Sequence, residues 1–354
     1  MAFYCNDTHQ VRLRISSEAE AIIEDDMRSF KEPKRSTLTN VILENYYEEA
    51  KSSICMQLEK YEAAIKETFS EADTKINSYD IKILLYGREK ELKSLARELQ
   101  NFKKNNSWNG IRLRNELFDF LTNEKNGSTE NKYYDSLASY LSTIIEEYAR
   151  LPYIKRERIY YKSIFDDLEK AITEKKQIII SKAKTFYVLP YKIIANPLST
   201  YSYLVGYSYE ENDEKDGMKP CSYRISELAN SVYRIVRSRS ASLTKERKDY
   251  LHYQIAEKGV QFLSSDLLDV VVKFTDKGIE NFYRQINLRP TPLEPVTQSN
   301  FPYTFKCSRT QANYYFTQFG MNAEILSPPE LRKDFKKKYH DANALYSKSS
   351  RPNG

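Results

Sequence analysis

Histidine and cysteine are too few and too scattered to build much chemistry. Three histidines stand at 9, 252 and 340, and four cysteines at 5, 55, 221 and 307. No CxxC occurs and no histidine pair lies near a cysteine, which argues against a zinc site and against a disulfide framework; the thiols are read as reduced. General-base or metal chemistry built on histidine has little material. There is no run of about 18 apolar residues, and Met1 to Gln10 lacks the apolar stretch of a signal peptide, so a membrane span and secretion are both unexpected and the cytoplasm is the expected location. Nor is there a Walker loop, a GxGxxG or a Ser/His/Asp grouping that spacing justifies. An enzyme, a metal and a cofactor are therefore not expected.

What the chain does have is segregated charge and an excess of tyrosine. Its 354 residues carry a net charge of +6. Lys82 to Arg114 holds nine basic residues against three acids, Ser231 to Lys248 six against one, and Arg332 to Lys338 five against one, whereas Glu18 to Asp26 holds five acids and no base. Basic runs of this kind are the footprint of a nucleic-acid binder, and they are equally the mark of a solvated helix face. Tyrosine outnumbers phenylalanine, 29 to 16. An aromatic with a polar tip serves at half-wet surfaces, where bases stack, as well as in a core. Leu, Ile and Val recur throughout, so the chain buries cores. At about 100–200 residues per domain it is read as an α+β protein of three domains, spanning 1–155, 156–250 and 255–346, with an unstructured tail at 347–354.

Gln10 to Ser16 alternates, Val11, Leu13 and Ile15 against Arg12 and Arg14, which predicts a half-buried strand. Ser16 or Ser17 then caps a helix with Ala19, Ile22, Ile23, Met27 and Phe30 on one side; Pro33 breaks it, and Ser36 caps a second helix through Leu38, Val41, Ile42 and Tyr46. Through VRLRI at 11–15, the Arg35-Ser36 pair and this apolar register, residues 9–48 resemble the ribbon-helix-helix family. The resemblance implies a two-stranded ribbon that enters a DNA groove, with Gln10, Arg12 and Arg14 facing bases and Arg35 and Ser36 at a phosphate-binding helix start. The alternative is a ribbon kept only as packing. Ile111-Arg112-Leu113-Arg114 repeats the alternation, and helical patterns follow at 117–121 and 133–148, so residues 110–150 form a candidate second, degenerate unit able to pair with the first inside one chain. Tyr47 to Phe69 and Tyr79 to Phe102 read as amphipathic connecting helices.

After a helix at 157–173 the period changes to strands: 178–183, 186–194, 201–208, 221–227 and 231–236. Leu189-Pro190-Tyr191, Tyr203-Leu204-Val205-Gly206-Tyr207 and Tyr223-Arg224-Ile225 make this segment similar to the WYL domain, a Sm-like β-barrel of bacterial nucleic-acid-binding regulators. Ser202 stands where that family has tryptophan, and Glu227 where a second arginine often follows. Alternation puts Tyr201, Tyr203 and Tyr207 on one strand face. Tyr191, Tyr203 and Tyr207 are candidates to stack bases, and Arg224, Arg234, Arg237 and Arg239 to hold a backbone.

Beyond residue 255, strands at 270–275, 304–308 and 323–326, a helix at 311–319 ended by Gly320, and Pro329-Glu330-Leu331-Arg332 resemble the extension that follows many WYL domains, which implies a homodimer through this part. A ribbon-helix-helix start joined to a WYL domain resembles the accessory proteins of type VI, RNA-targeting CRISPR loci. That implies single-stranded RNA, and an RNA-guided CRISPR effector that the protein stimulates, as its partners. The other reading is a dimeric DNA-binding repressor with a ligand-sensing WYL domain.

Overall fold

The computed structural model describes residues 10–72, 75–101, 106–122, 128–181, 184–196, 201–210, 217–229, 231–240, 242–263 and 267–348. The chain mixes helix and sheet and divides into two units, Met1–Lys162 and Ser163–Gly354. None of the described helices is long and apolar enough to cross a membrane. Cys5 and His9 lie outside the described residues.

In the first unit the alternating segment is a strand, β1 (Gln10–Ile15), with Val11, Leu13 and Ile15 buried. Helix α1 (Ser17–Phe30) starts because Ser16 Oγ accepts from the Ala19 N–H, satisfying one of the free amides of the first turn. Helix α2 (Arg35–Tyr46) corrects the expected serine cap. The backbone turns helical after Lys34, which holds the cap position with no side-chain bond, so Ser36 falls inside the first turn. An antiparallel hairpin of α3 (Ile54–Glu71) and α4 (Ser78–Gln100) follows, then β2 (Asn106–Arg112), α5 (Asn115–Thr122), α6 (Leu137–Ala149) and α7 (Tyr153–Tyr160).

The strand that pairs with β1 is β2 of the same chain, antiparallel, with Gln10 opposite Arg112 and Val11 opposite Ile111. On β1's other flank stands α6, which is buried almost all round, its Ser142, Glu146 and Glu147 included. The Arg14 N–H donates to Ser142 Oγ at 3.0 Å, and Ser16 donates through both N–H and Oγ to Glu146. Asn40 of α2 ties in the far strand, its Nδ2 donating to the Arg112 carbonyl (2.9 Å) and its Oδ1 accepting from the Arg114 N–H (2.8 Å). Both edges of the ribbon are thus held by groups of the same chain.

Buried carboxylates do the remaining stitching. Glu147 accepts from Tyr46 Oη, from the Lys51 and Ser52 amides and from Ser52 Oγ, at 2.7–3.0 Å. Glu130, 3% exposed, accepts from the Cys55 amide at 2.8 Å at the start of α3, while its Oε2 has no hydrogen-bond partner. Burial outweighs those amides and pushes its carboxyl from 4.5 up to about 7. Since the folded state holds the proton more tightly than the unfolded chain, the stabilisation is complete below pH 4.5 and is lost as pH rises through about 7. Glu130→Gln, which keeps an acceptor for the amide, is expected to match the parent near pH 4 and to exceed it by roughly 3 kcal/mol at pH 8. Urea unfolding at the two pH values checks this, and a parent whose stability does not fall over that range removes the account.

The second unit opens with α8 (Lys162–Thr173), separated from α7 by a break at Tyr161 that the sequence had bridged with one helix. It buries Phe165, Leu168 and Ala171, one face of the helix. Five strands follow: β3 (Lys176–Ser181), β4 (Thr185–Asn196), β5 (Tyr201–Glu210), β6 (Lys219–Arg224) and β7 (Val232–Ser240), in the order β6-β5-β4-β3-β7, all antiparallel. The expected closed barrel is not formed among the described residues. The strand expected to run to Glu227 ends at Arg224, where α9 (Ile225–Leu228) turns away, and β7 is paired with β3. One register shift matters for the site: between Pro190 and Lys192 an extra residue, Tyr191, bulges out of β4, at a place where proline has no N–H to give the ladder. The two strands approach so closely beside it that a Cβ on Gly206 would lie 2.1 Å from the Leu189 carbonyl oxygen. Helix α10 (Lys245–Lys258) and a turn at Val260–Phe262 complete this part.

The remaining strands are β8 (Leu268–Phe274), β9 (Thr291–Pro292), β10 (Pro302–Cys307) and β11 (Ala323–Ser327), ordered β11-β8-β10-β9, with helices α11 (Asp276–Arg284), α12 (Arg309–Thr317) and α13 (Pro329–Lys348). Their core is aromatic, built on Phe274, Phe282, Phe305, Tyr315, Phe316 and Phe335. Gly320 takes a positive φ two residues after the cap of α12, at Gln318, rather than serving as that cap. Helix α13 crosses into the expected tail, of which residues 349–354 lie outside the described residues.

Candidate nucleic-acid interface

Three arginine-bearing surfaces come out of the sequence. On the ribbon, Gln10, Arg12 and Arg14 are exposed on β1 while the residues between them are buried. Arg112, exposed and directly opposite Gln10, adds a third guanidinium that the sequence reading did not select, although the alternation at 111–114 was the signal for it. Arg114 turns instead to Glu44, its Nη1 2.7 Å from Oε2. Arg35 is likewise engaged: its Nη2 lies 3.2 Å from Glu24 and 3.5 Å from Glu20. It neutralises α1 rather than opening a phosphate site at the start of α2, and Ser36 is half-buried there with its carbonyl accepting from Asn40. Within the acidic run of α1, Asp25 pairs with Arg28 and Asp26 with Arg156, so most of its negative charge is compensated locally.

The tyrosines of the second surface are placed differently from expectation. Alternation assigns Tyr203 and Tyr207 to one strand face, but that face is covered: they are 9% and 4% exposed, packed with Leu189, Val205 and Leu251 beneath α10. They are core residues, not open platforms. Tyr207 Oη donates to the Arg247 carbonyl at 3.2 Å. Tyr191, pushed out by the bulge, is half-buried, with its hydroxyl 3.0 Å from His252 Nε2 on α10. Tyr201 and Arg224 stay partly open. Arg224 stands opposite Tyr203 in the ladder, its guanidinium lies over the ring of Tyr201, and its buried Nε makes no hydrogen bond. Stacking fixes the plane of a cation that presents several donors, the arrangement that grips a phosphate or a base edge. Alternation had placed Tyr201 on this face without naming it a candidate, and the cover of α10 was not foreseen.

The third surface is β7. Arg234 is exposed and lines a cleft of about 510 Å³ with Lys170, Asp167, Glu174 and Tyr233, the last donating to Asp167 at 3.1 Å. Arg234 and Arg224 lie on strands at opposite edges of the sheet order, so the ladder does not bring them together. The side chains of Arg237 and Arg239 lie outside the described residues. Their backbone belongs to a bulge, since Val236 faces Gln177 and Ser240 faces Lys176. Cys221 and Cys307 take no part: burial pushes their thiols up to about 12, where they stay protonated and unreactive.

No protein-family model matches the chain, and none of the curated proteins does. Among solved structures, the crystal structure of a CRISPR Cas-related protein superposes with a TM-score of 0.74 at 22% identity, over 98% of this chain and 96% of that one. The two chains share one fold from end to end. The proteasome accessory factor B/C of Arthrobacter aurescens shows a TM-score of 0.29 and 14% identity, over 60% of this chain and 32% of that one, a value too low to bear on the architecture.

Proposed function

We propose that this chain is a nucleic-acid-binding accessory protein of a CRISPR system, without catalytic activity of its own, that binds single-stranded RNA and stimulates an RNA-guided ribonuclease of the RNA-targeting, type VI kind. The observation that carries the reading is the end-to-end fold likeness to a CRISPR Cas-related protein. The chemistry supports it: the stacked Tyr201 and Arg224 pair the two components of single-strand recognition, a ring and a cation, and Arg234 adds an exposed charge on another edge. In this reading the ribbon-helix-helix-like start, the WYL-like sheet and a homodimer through the C-terminal part belong to one regulatory architecture.

A second reading, a DNA-binding repressor, is favoured by one observation, the outward guanidinium groups of Arg12, Arg14 and Arg112 on a two-stranded ribbon. Competition among single-stranded RNA, single-stranded DNA and duplex DNA at fixed salt separates the two. The proposal expects single-stranded RNA to win and Arg224→Ala to weaken it by about 1–3 kcal/mol, while Arg234→Ala lowers the salt slope by about 0.7. Preference for one duplex sequence, lost in Arg12→Ala/Arg14→Ala, would establish the repressor instead.

A further inference from the structure

Helix α4 has two unlike sides. Leu92, Ala96 and Leu99 are buried on one. At 3.6 residues per turn, Tyr79, Lys82, Ile83, Tyr86, Lys90 and Arg97 fall within about 60° of a single line along the other, and the helix's four acids, Asp80, Glu89, Glu91 and Glu98, fall outside that band. Tyr79 and Tyr86 are each 70% exposed and Ile83 is 53% exposed, high values for large side chains on a helix with a buried face. Lys93 also falls on this band and is spent on Glu89, but the other three cations of the band are not. Glu89 is paired with Lys93, Glu91 with Arg88 and Glu98 with Arg150, while Lys82, Lys90 and Arg97 are exposed and meet no carboxylate among the described residues.

The geometry points to a second nucleic-acid contact on this face of α4, in the first unit, whose occupant is single-stranded RNA. Charge selects a polyanion, since three unpaired cations run the length of the band with no acid among them. The rings select unpaired bases. Seven residues separate Tyr79 from Tyr86, about 10 Å along the axis, too far for the rings to stack on each other and open for a base on each. In a duplex the bases are already stacked and paired, so the cations would still attract it but the rings would contribute nothing. The inference rests on the proposed RNA reading for its ligand class; the site, in a different unit from Tyr201 and Arg224, is independent of it.

The test uses the full-length chain and a 4-thiouridine-substituted oligouridylate. Photocrosslinks are expected on the peptide carrying Tyr79 and Tyr86. Tyr79→Ala/Tyr86→Ala should weaken binding of the oligouridylate about tenfold or more with the salt slope unchanged, and Tyr79→Phe/Tyr86→Phe, which keeps the rings, should bind as the parent does. Lys82→Gln/Lys90→Gln/Arg97→Gln should lower the slope by about 2. These side chains are exposed, so unchanged thermal unfolding is expected and serves as the folding control. Crosslinks confined to residues 163–354, with all three variants binding like the parent, would assign the α4 face to a protein partner or a second copy and overturn the inference while leaving the RNA reading intact. A parent that binds no oligouridylate overturns both.

Discussion

Arg156→Met is expected to destabilise the first unit by about 3–5 kcal/mol, the range for removing one partner of a buried ion pair. Asp26 is fully buried, and Arg156 reaches it twice, with Nε at 2.8 Å and Nη2 at 3.1 Å, while Tyr148 Oη donates a third bond at 2.9 Å. Without the guanidinium the carboxylate keeps only the tyrosine in a site where water cannot replace what was lost. Burial already holds the Asp26 carboxyl above its ordinary range, with Arg156 opposing, so the variant raises it further and the carboxyl takes up a proton instead. A raised group stabilises most at low pH, and the deficit should therefore shrink on acidification. Replacing both partners, Asp26→Leu/Arg156→Met, should recover most of the loss because no charge is left stranded. Trp108, the only tryptophan, lies in β2, so its fluorescence during urea unfolding follows this unit. A single variant that loses under about 1 kcal/mol, the worth of a surface pair, would show that Asp26 is not isolated from water.

Gly206→Ala is expected to cost about 3 kcal/mol or more, at or beyond the upper end for added atoms in a packed interior. The reason is the obstacle's identity. A Cβ there meets the Leu189 carbonyl oxygen at 2.1 Å and the Pro190 Cα at 3.2 Å, both backbone atoms inside a hydrogen-bonded ladder, which cannot swing aside as a side chain would. Relief requires the β4–β5 ladder to part at the Tyr191 bulge, moving Tyr191 off His252. Far-ultraviolet circular dichroism with thermal melting measures the loss, and Gly217→Ala, whose Cβ meets nothing within 4 Å, is the control. Equal melting of the two variants would mean the bulge is softer than its geometry indicates.

The first strand and the two helices after it were legible in sequence because three local signals agree there: strict alternation, a serine cap and helical spacing. What covers a face was not. Alternation correctly put Tyr203 and Tyr207 on one side of β5, yet no local pattern tells whether that side meets water or a helix. The cover, α10, opens on Lys245-Glu246-Arg247-Lys248-Asp249 and buries little besides Leu251 and Gln254, so it carries almost no apolar stripe to read. Helix α13 was more readable than it was read: Leu331, Phe335 and Tyr339 recur every four residues, but the prolines at 328 and 329 drew a boundary where a proline-started helix begins. Pairings between distant residues were the least accessible. Arg35 with Glu20 and Glu24, and Arg224 over Tyr201, depend on three-dimensional neighbours, and each decides whether an arginine picked out in the sequence is spent or open; Arg156, which holds the buried Asp26, was not picked out at all.

A ribbon made from one chain has a consequence for what it can recognise. When two copies of a strand pair, the exposed surface repeats itself about a dyad, and the preferred target is an inverted repeat. Here QVRLRI lies against NSWNGIR, with Arg12 and Arg14 on one strand and Arg112 on the other. Such a surface has a left and a right. In the DNA-binding reading, a nucleic acid laid across it would be met with a fixed polarity, so a strand and its reverse would be different ligands, and a palindrome would offer the ribbon no advantage over a directional sequence.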